Sequence, residues 1–204
     1  MNAKIVLASA SPARRALLTR SGLVFTTVVS GVDEESEEFS ALAPIELAHT
    51  LAQRKAEAVA GQINEPALVI ACDSVFELDG IAFGKPLKPE IATERWQLMR
   101  GRTGTLHTGQ CVIDTANSSL VTGTASTEVT FADISDEEIA SYVASGEPLE
   151  VAGAFTIDSL GGPYIDWIEG DPSCVEGLSL PLLRRMVEEL GHSWHSVRDR
   201  KGGS

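Results

Sequence analysis

Cysteine is scarce in this chain of 204 residues, and Cys72, Cys111 and Cys174 lie far apart with no C-x-x-C pair. That spacing suggests neither a disulfide framework nor a zinc site and points to a reducing compartment. No apolar run approaches the roughly 18 residues of a membrane span, and Ile5 to Ala8 is too short for a signal-peptide core. A cytoplasmic protein without a membrane partner is therefore expected. Asn117-Ser118-Ser119 matches a glycosylation sequon, which without an export signal reads as chance. Positive charge is also short: 16 Lys and Arg stand against 29 Asp and Glu, a formal net charge of -13. Such a surface repels polyphosphate chains over a Debye length, which argues against broad nucleic-acid or anionic-membrane binding. A small anionic ligand would need a local basic pocket, a divalent cation, or both.

What the chain does have is 43% hydrophobic residues, enough for one sizeable α/β domain, read here as residues 1–191 with a frayed tail at 192–204. No internal repeat or low-complexity linker interrupts it. The opening stretch, Lys4 to Gly22, reads as a short strand, a tight turn and a helix. Ile5 to Ala8 is an apolar run of strand length, and Ser9, Ala10, Ser11 and Pro12 follow at once. Pro suits the first helical position, Ser11 can cap, Ala16, Leu17 and Leu18 supply a buried face, and Gly22 offers a left-handed stop. A strand running into a helix start aims free N–H groups and the positive end of the dipole at one spot, beside the Ser9 and Ser11 hydroxyls. Arg14 and Arg15 sit unfavourably in that first turn, as if something anionic neutralised them; solvated arginines on a surface helix are the ordinary reading.

Further along, Val24 to Val29 reads as a second strand, followed by an acidic loop with Asp33, Glu34, Glu35, Glu37 and Glu38. Such runs are usually solvated, yet carboxylates just past a strand end also suit a metal. Pro44 to Ile63 has helical spacing and carries Arg54 and Lys55. Ala67 to Leu78 is the most strand-like segment, with the run Ala67 to Cys72 buried on both faces and Asp73 directly after it. A carboxylate there is tolerated only at a sheet end or with partners, which makes Asp73 the leading candidate for chemistry; a turn-capping Asp is the alternative. Asp79-Gly80 marks a hairpin returning through Ile81 to Phe83. Gly80-x-x-x-Gly84-Lys85 has the outline of a phosphate loop but is one residue short, and Pro86 replaces the required Ser or Thr. A helix at Pro89 to Arg100 and strands at Thr105 to Asp114 and Leu120 to Phe131 come next. They lead to a helix opened by the capping box Ser135-Asp136-Glu137-Glu138, then glycine-punctuated short strands, the clearest Tyr164 to Ile168, and a helix at Leu180 to Leu190. His192 and His195 form an H-x-x-H pair in the polar tail, a poor place for a metal.

Nine short strings in order resemble the motifs of the Maf family of nucleoside triphosphate pyrophosphatases. They are Leu7-Ala8-Ser9-Ala10-Ser11-Pro12 with Arg14, Ser30-x-x-Asp33-Glu34, Leu51-Ala52-x-x-Lys55-Ala56, Asp73-Ser74-Val75, Gly84-Lys85-Pro86, Thr108-Gly109, Gly146-Glu147-Pro148, Ala152-Gly153-Ala154-Phe155 and Gly177-Leu178-Ser179-Leu180-Pro181. The strings Phe155-Thr156-x-Asp158-x-Leu160-Gly161-Gly162 and Gly177 to Leu183 are most similar to actinobacterial members.

The resemblance implies an extended mixed sheet flanked by helices, like that of inosine triphosphatases, with two lobes around a deep cleft. It also implies hydrolysis of a nucleoside triphosphate to monophosphate and pyrophosphate with Mg2+ or Mn2+, and a homodimer. Asp73 falls at the family's proton acceptor, and Ser9, Arg14, Glu34, Lys55 and Lys85 fall at polar positions around the phosphates. Attack at the α-phosphorus needs an activated water, a metal to spread charge and cations on the leaving group. Asp73 and Glu34 then serve as metal ligands, and Ser9, Ser11, Arg14, Arg15, Lys55 and Lys85 as the phosphate clamp. Ala13, Ser74 and Asp158 stand where one thymidine and uridine triphosphate branch has Arg, Thr and Gln; the 7-methylguanosine triphosphate branch tends to an aromatic at the first. A carboxylate at Asp158 suits the paired donors of a guanine edge, so a guanine-type or modified purine is expected. Two other classes remain open: a nucleotide-binding regulator of cell division with negligible turnover, and a metal-dependent phosphatase or nucleotidyl transferase.

Overall fold

A computed structural model describes residues 4–34 and 36–198 of the chain. Glu35 of the acidic loop and residues 199–204 of the expected tail lie outside them. In chain order the strands are β1 (Lys4–Leu7), β2 (Thr26–Thr27), β3 (Ala67–Leu78), β4 (Ile81–Phe83), β5 (Thr103–Asp114), β6 (Ser119–Phe131) and β7 (Ile165–Glu169). The helices are α1 (Pro12–Arg20), α2 (Pro44–Ala60), α3 (Pro89–Met99), α4 (Asp136–Ala144), α5 (Pro172–Val175), α6 (Leu180–Glu189) and α7 (Trp194–Val197). The strands form one sheet in the order β2-β1-β3-β5-β6-β7, with β4 paired to β3. β1 runs parallel to β2 and β3, and every other pairing is antiparallel. The fold is thus the expected mixed α/β sheet.

Three long strands carry the architecture. β3 and β5 have 12 residues each and β6 has 13, so at about 3.3 Å per residue they reach roughly 40 Å and pass through both lobes. Alternation along them feeds two cores in the first lobe. Leu68, Ile70 and Cys72 pack with Leu17, Leu18, Leu183 and Met186, whereas Val69 and Ala71 pack with Ala56 and Val59 of α2. In the second lobe Phe76, Phe131, Phe155 and Trp96 meet edge to face, at centroid distances of 4.9 to 5.6 Å. β3 ends in a tight turn, with Asp79 and Gly80 both at positive φ (54° and 79°), the hairpin geometry that an Asp-Gly pair favours.

Local chemistry explains the ends of α1: Ser11 Oγ accepts from the Arg14 N–H, Pro12 sits at the first position, and Gly22 follows with φ 77°. Three expectations are corrected. The strand expected at Val24 to Val29 shrinks to Thr26–Thr27, registered on Val6 and Leu7; Val24 and Val29 are 66% and 64% exposed, and only Phe25 and Val28 of this edge segment pack against the two cores. The short strands expected around residues 146–163 are 3-10 turns at Glu147–Glu150, Ala152–Ala154 and Gly162–Tyr164. Glycines at positive φ, including Gly146 and Gly153, favour turns over pairing there. Finally, residues 192–198 are held rather than frayed: Trp194–Val197 is helical, Leu23 and Arg198 form a β-bridge, and His192 Nε2 lies 2.8 Å from Asp114 Oδ2. That bond accounts for His192 without a metal. Among the described residues no helix is long and apolar enough to cross a membrane.

Candidate active site

Where β1 gives way to α1, a cavity of about 620 Å³ opens, and its walls collect most of the candidates chosen from sequence. Ser9, Ser11, Ala13 and Arg14 come from the opening turn, Glu34 from the acidic loop, Lys55 from α2, Asp73 from β3 and Lys85 from the segment after β4. Asp73 thus shares one cavity with Ser9, Lys55 and Lys85, though they are spread over 77 positions from residue 9 to residue 85.

The floor is a charged triplet. Lys55 Nζ lies 2.5 Å from Asp73 Oδ1 and 2.7 Å from Glu34 Oε1, with Lys55 and Asp73 each only 6% exposed. A long amine reaching down from a helix can do this only if the helix rides low on the sheet. Gly109, the partner of Asp73 across β3 and β5, permits that approach: a Cβ there would collide with the backbone of Ala48 and His49 in α2. Burial pushes the Asp73 carboxyl above its ordinary value. The Lys55 and Arg14 cations and the Lys55 hydrogen bond pull the other way, while Glu34 adds to the rise. Asp73 is therefore a carboxylate whose ionised form is poorly solvated and whose Oδ1 is held, the setting of a tuned proton acceptor. The neighbouring Cys72 thiol is pushed up to about 11 by burial, too high to be a thiolate nucleophile near neutrality.

Arg14, which borders the cavity, also hydrogen-bonds extensively within the protein. Its Nε donates to Gly177 O at 2.7 Å, Nη1 to Cys72 O at 2.8 Å and to Ser9 Oγ at 3.3 Å, and Nη2 to Ser74 Oγ at 3.1 Å. Ser9 Oγ also accepts from the Ser11 N–H at 3.2 Å. With Arg14 N taken by Ser11 and Pro12 lacking an N–H, the Ala13 N–H is left in that turn without an intrahelical acceptor.

Three candidates fall elsewhere. Arg15 is exposed on the outer side of α1 and does not line the cavity. Ser74 follows Asp73 on the strand and so points to the other sheet face, where its hydroxyl meets Arg14 and, at 2.9 Å, Thr108 Oγ1. Asp158 is exposed, lies outside the cavity lining, and exerts its charge on Arg20 near the far end of α1. Conversely, Glu150 and Val151 line the cavity beside Ala152 and were not singled out from sequence. Their only signal was a position between the strings at Gly146 and Ala152. Their neighbour Glu147 shapes that wall: its carboxylate accepts from Tyr142 Oη, Thr156 Oγ1 and the N–H groups of Leu160 and Gly161.

As a metal site the donor set is small. Among the described residues no group of three or more His, Cys, Asp or Glu side chains could hold a metal. Asp73 and Glu34 use Oδ1 and Oε1 on Lys55, so a second oxygen of each remains as a hard donor. Two carboxylate oxygens fit Mg2+ when substrate phosphates and water complete the shell, and would be poor for a metal held by protein alone.

Sheet and cavity together define one class of molecule: a mixed α/β fold whose cleft sets a buried carboxylate–lysine pair beside a helix N-terminus. The Ham1 protein of Staphylococcus aureus has a similar fold, with a TM-score of 0.51 at 15% identity over 92% of this chain and 99% of that one. The Maf-like protein family matches residues 4–190, and the chain belongs to that family. It is 57% identical over 189 residues to a nucleoside triphosphate pyrophosphatase of Streptomyces coelicolor, covering 92% of this chain and 91% of the relative. A protein of the same description from Thermosynechococcus vestitus is 50% identical over 196 residues, covering 96% and 98%.

Proposed function

We propose that the cavity hydrolyses a nucleoside triphosphate to the monophosphate and pyrophosphate by attack of water at the α-phosphorus. The observation that carries this is the Asp73–Lys55 pair, 2.5 Å apart on the floor of a cavity entered beside the start of α1. Family membership and the description shared by the similar proteins support it.

In this mechanism Asp73 Oδ2 takes the proton of the attacking water while Oδ1 stays on the Lys55 ammonium. The new bond joins the water oxygen to the α-phosphorus, the bridging bond to the β-phosphate breaks, and its electrons leave with pyrophosphate. Lys85 and the Ala13 N–H offer positive ends for phosphate oxygens, and Lys55 keeps the two carboxylates from repelling each other. Glu34 would hold a phosphate-bound Mg2+ or Mn2+, shared by Asp73 only while its Oδ2 carries no proton, and the ion would supply spreading of the phosphate charge. On the base side, Glu150 replaces Asp158 as the carboxylate available to read a donor-bearing edge. A cytoplasmic location, where triphosphates are made and used, and a homodimer belong to the same reading.

The test is a nucleotide panel with Mg2+ or Mn2+, followed for monophosphate and pyrophosphate with wild-type protein and Asp73→Asn. Turnover lost in the variant with triphosphate binding retained is the expected result. Release of orthophosphate would indicate attack at the γ-phosphorus instead, and binding without turnover in the wild type would indicate a regulator.

A further inference from the structure

We infer that Arg14 is a positioning residue that aims the Asp73 segment of β3, and is not a ligand of the substrate phosphates; this rests on the reading of Asp73 as proton acceptor. A guanidinium has five N–H donors, and four of Arg14's are spent on this protein. Two of those bonds bracket Asp73: one holds the carbonyl of Cys72 just before it, the other the hydroxyl of Ser74 just after it. A third holds Ser9 in the opening turn, and the fourth holds the carbonyl of Gly177 on the loop before α6, 163 positions away in sequence. One planar group thus ties two other segments, the opening turn and the loop at Gly177, to the strand around Asp73.

The partner at the far end is shaped for it. Gly177 has φ 101°, and a Cβ there would stand 3.2 Å from Arg14 Nε and 3.5 Å from Ser74 Oγ. Gly177 therefore meets both requirements, a backbone most side chains avoid and a close approach to the guanidinium. Ser74 is anchored in turn, with its hydroxyl 2.9 Å from Thr108 Oγ1, which donates to Cys174 O at 2.9 Å. Within the network Arg14 and Ser9 border the cavity, whereas Cys72, Ser74, Thr108 and Gly177 lie outside its lining. A phosphate clamp would keep its donors turned outward, whereas these donors turn inward. A lysine cannot replace the fork, because a single ammonium cannot span Gly177, Cys72 and Ser74 at once.

The experiment compares kcat with the dissociation constant of an α,β-methylene nucleoside triphosphate for wild type, Arg14→Ala, Arg14→Lys and Ser74→Ala. Circular dichroism and melting check that each variant folds. If Arg14 aims Asp73, Arg14→Ala and Arg14→Lys each lower kcat about 100-fold, as expected for a catalytic group displaced by about 1 Å, and leave analogue binding within about 3-fold. Ser74→Ala, which removes one of the two bracketing bonds at a side chain outside the cavity, lowers kcat about 5-fold with binding unchanged. Should Arg14→Ala not fold, the other two variants decide. The inference is overturned if analogue binding weakens as much as kcat/KM falls and Arg14→Lys restores it, the behaviour of a phosphate ligand. It is equally overturned if Ser74→Ala and Arg14→Lys both keep wild-type kcat. Either result leaves the proposed hydrolysis standing, whereas a wild-type protein that releases no pyrophosphate removes both.

Discussion

Two carboxylates stand on the same face of β3, four residues apart, and each has a nitrogen partner. Asp73 meets Lys55 at 2.5 Å, and Glu77 meets His107 Nε2 at 3.0 Å, with His107 Nδ1 in turn 2.8 Å from Ser126 Oγ. On paper the second array is the richer, a carboxylate, an imidazole and a hydroxyl in line. Yet Glu77 is 30% exposed in its side chain and lines no part of the cavity, while Asp73 is nearly sealed and its carboxyl is driven up by burial. The contrast teaches that a catalytic constellation is made by its surroundings: cover, charge balance and an open volume beside it, rather than by a sequence of functional groups.

The sharpest way to break this comparison is to remove the acid from each array. Asp73→Asn is expected to lower kcat by about 10³-fold, within the span assigned to a positioned general base, with triphosphate binding retained. Glu77→Gln is expected to stay within about 3-fold of wild type, because it only trades one acceptor for another at the sheet surface. Steady-state rates of pyrophosphate release compare the two directly. Similar losses from both would put the chemistry somewhere other than the cavity.

The next largest difference is in stability. Lys55→Met leaves Asp73 buried without its nearest cation, which costs about 3 to 5 kcal/mol when one member of a buried pair is removed. The equivalent change at the outer array, His107→Gln, keeps an amide able to meet Glu77 and should cost under about 1.5 kcal/mol. Denaturant unfolding of the two variants separates them. Gly109→Ala lies between: its methyl group would meet the α2 backbone, so overpacking of about 1 to 3 kcal/mol is expected, together with reduced turnover as Lys55 is lifted off Asp73.

These effects also mark how far the sequence could be read. The strand Ala67–Leu78 and the prominence of Asp73 were legible because a long apolar run interrupted by one carboxylate has few structural solutions. Helix α1 and its cap were legible because Ser, Pro and Gly act locally, within a turn of where they stand. Arg14 was identified, but its partners were not: Cys72, Ser74 and Gly177 lie 58 to 163 positions away, and no local pattern reports them. Asp158 and Glu150 show the same limit in opposite directions. Each is an acidic residue in a turn-rich segment, and only the path of the chain decides that Glu150 borders the cavity and Asp158 does not.

That wall supplies a pH-dependent contrast. Burial acts to raise the Glu147 carboxyl, but hydrogen bonds from Ser159, Thr156, the Leu160 N–H and Tyr142 outweigh it and bring the group below its usual value. A depressed folded value means that Glu147 stabilises the fold above the ordinary carboxylate range and loses that contribution as pH falls through the lowered value. The gap in urea midpoint between wild type and Glu147→Gln should thus be constant at neutral pH and close in acid. A gap that widened in acid would reverse the assignment.

The smallest effect sharpens the comparison within the cavity itself, between its floor and its rim. Glu150 borders the space with Val151 and Ala152, where a carboxylate would repel a triphosphate tail but could accept the adjacent N–H donors of a guanine edge. A charge-assisted hydrogen bond at a partly wet rim is worth far less than the buried pair on the floor. Glu150→Gln retains one acceptor and adds a donor, so it should cut the preference for guanine over uracil triphosphates by about 3- to 10-fold in kcat/KM, leaving the uracil rate nearly unchanged. The matching change Asp158→Asn should leave the ratio within about 1.5-fold, since that exposed residue lies outside the cavity lining. If the ratio follows Asp158 and ignores Glu150, the loop from Thr156 to Gly161 must swing over the cavity when substrate binds, and the base is read by that loop instead.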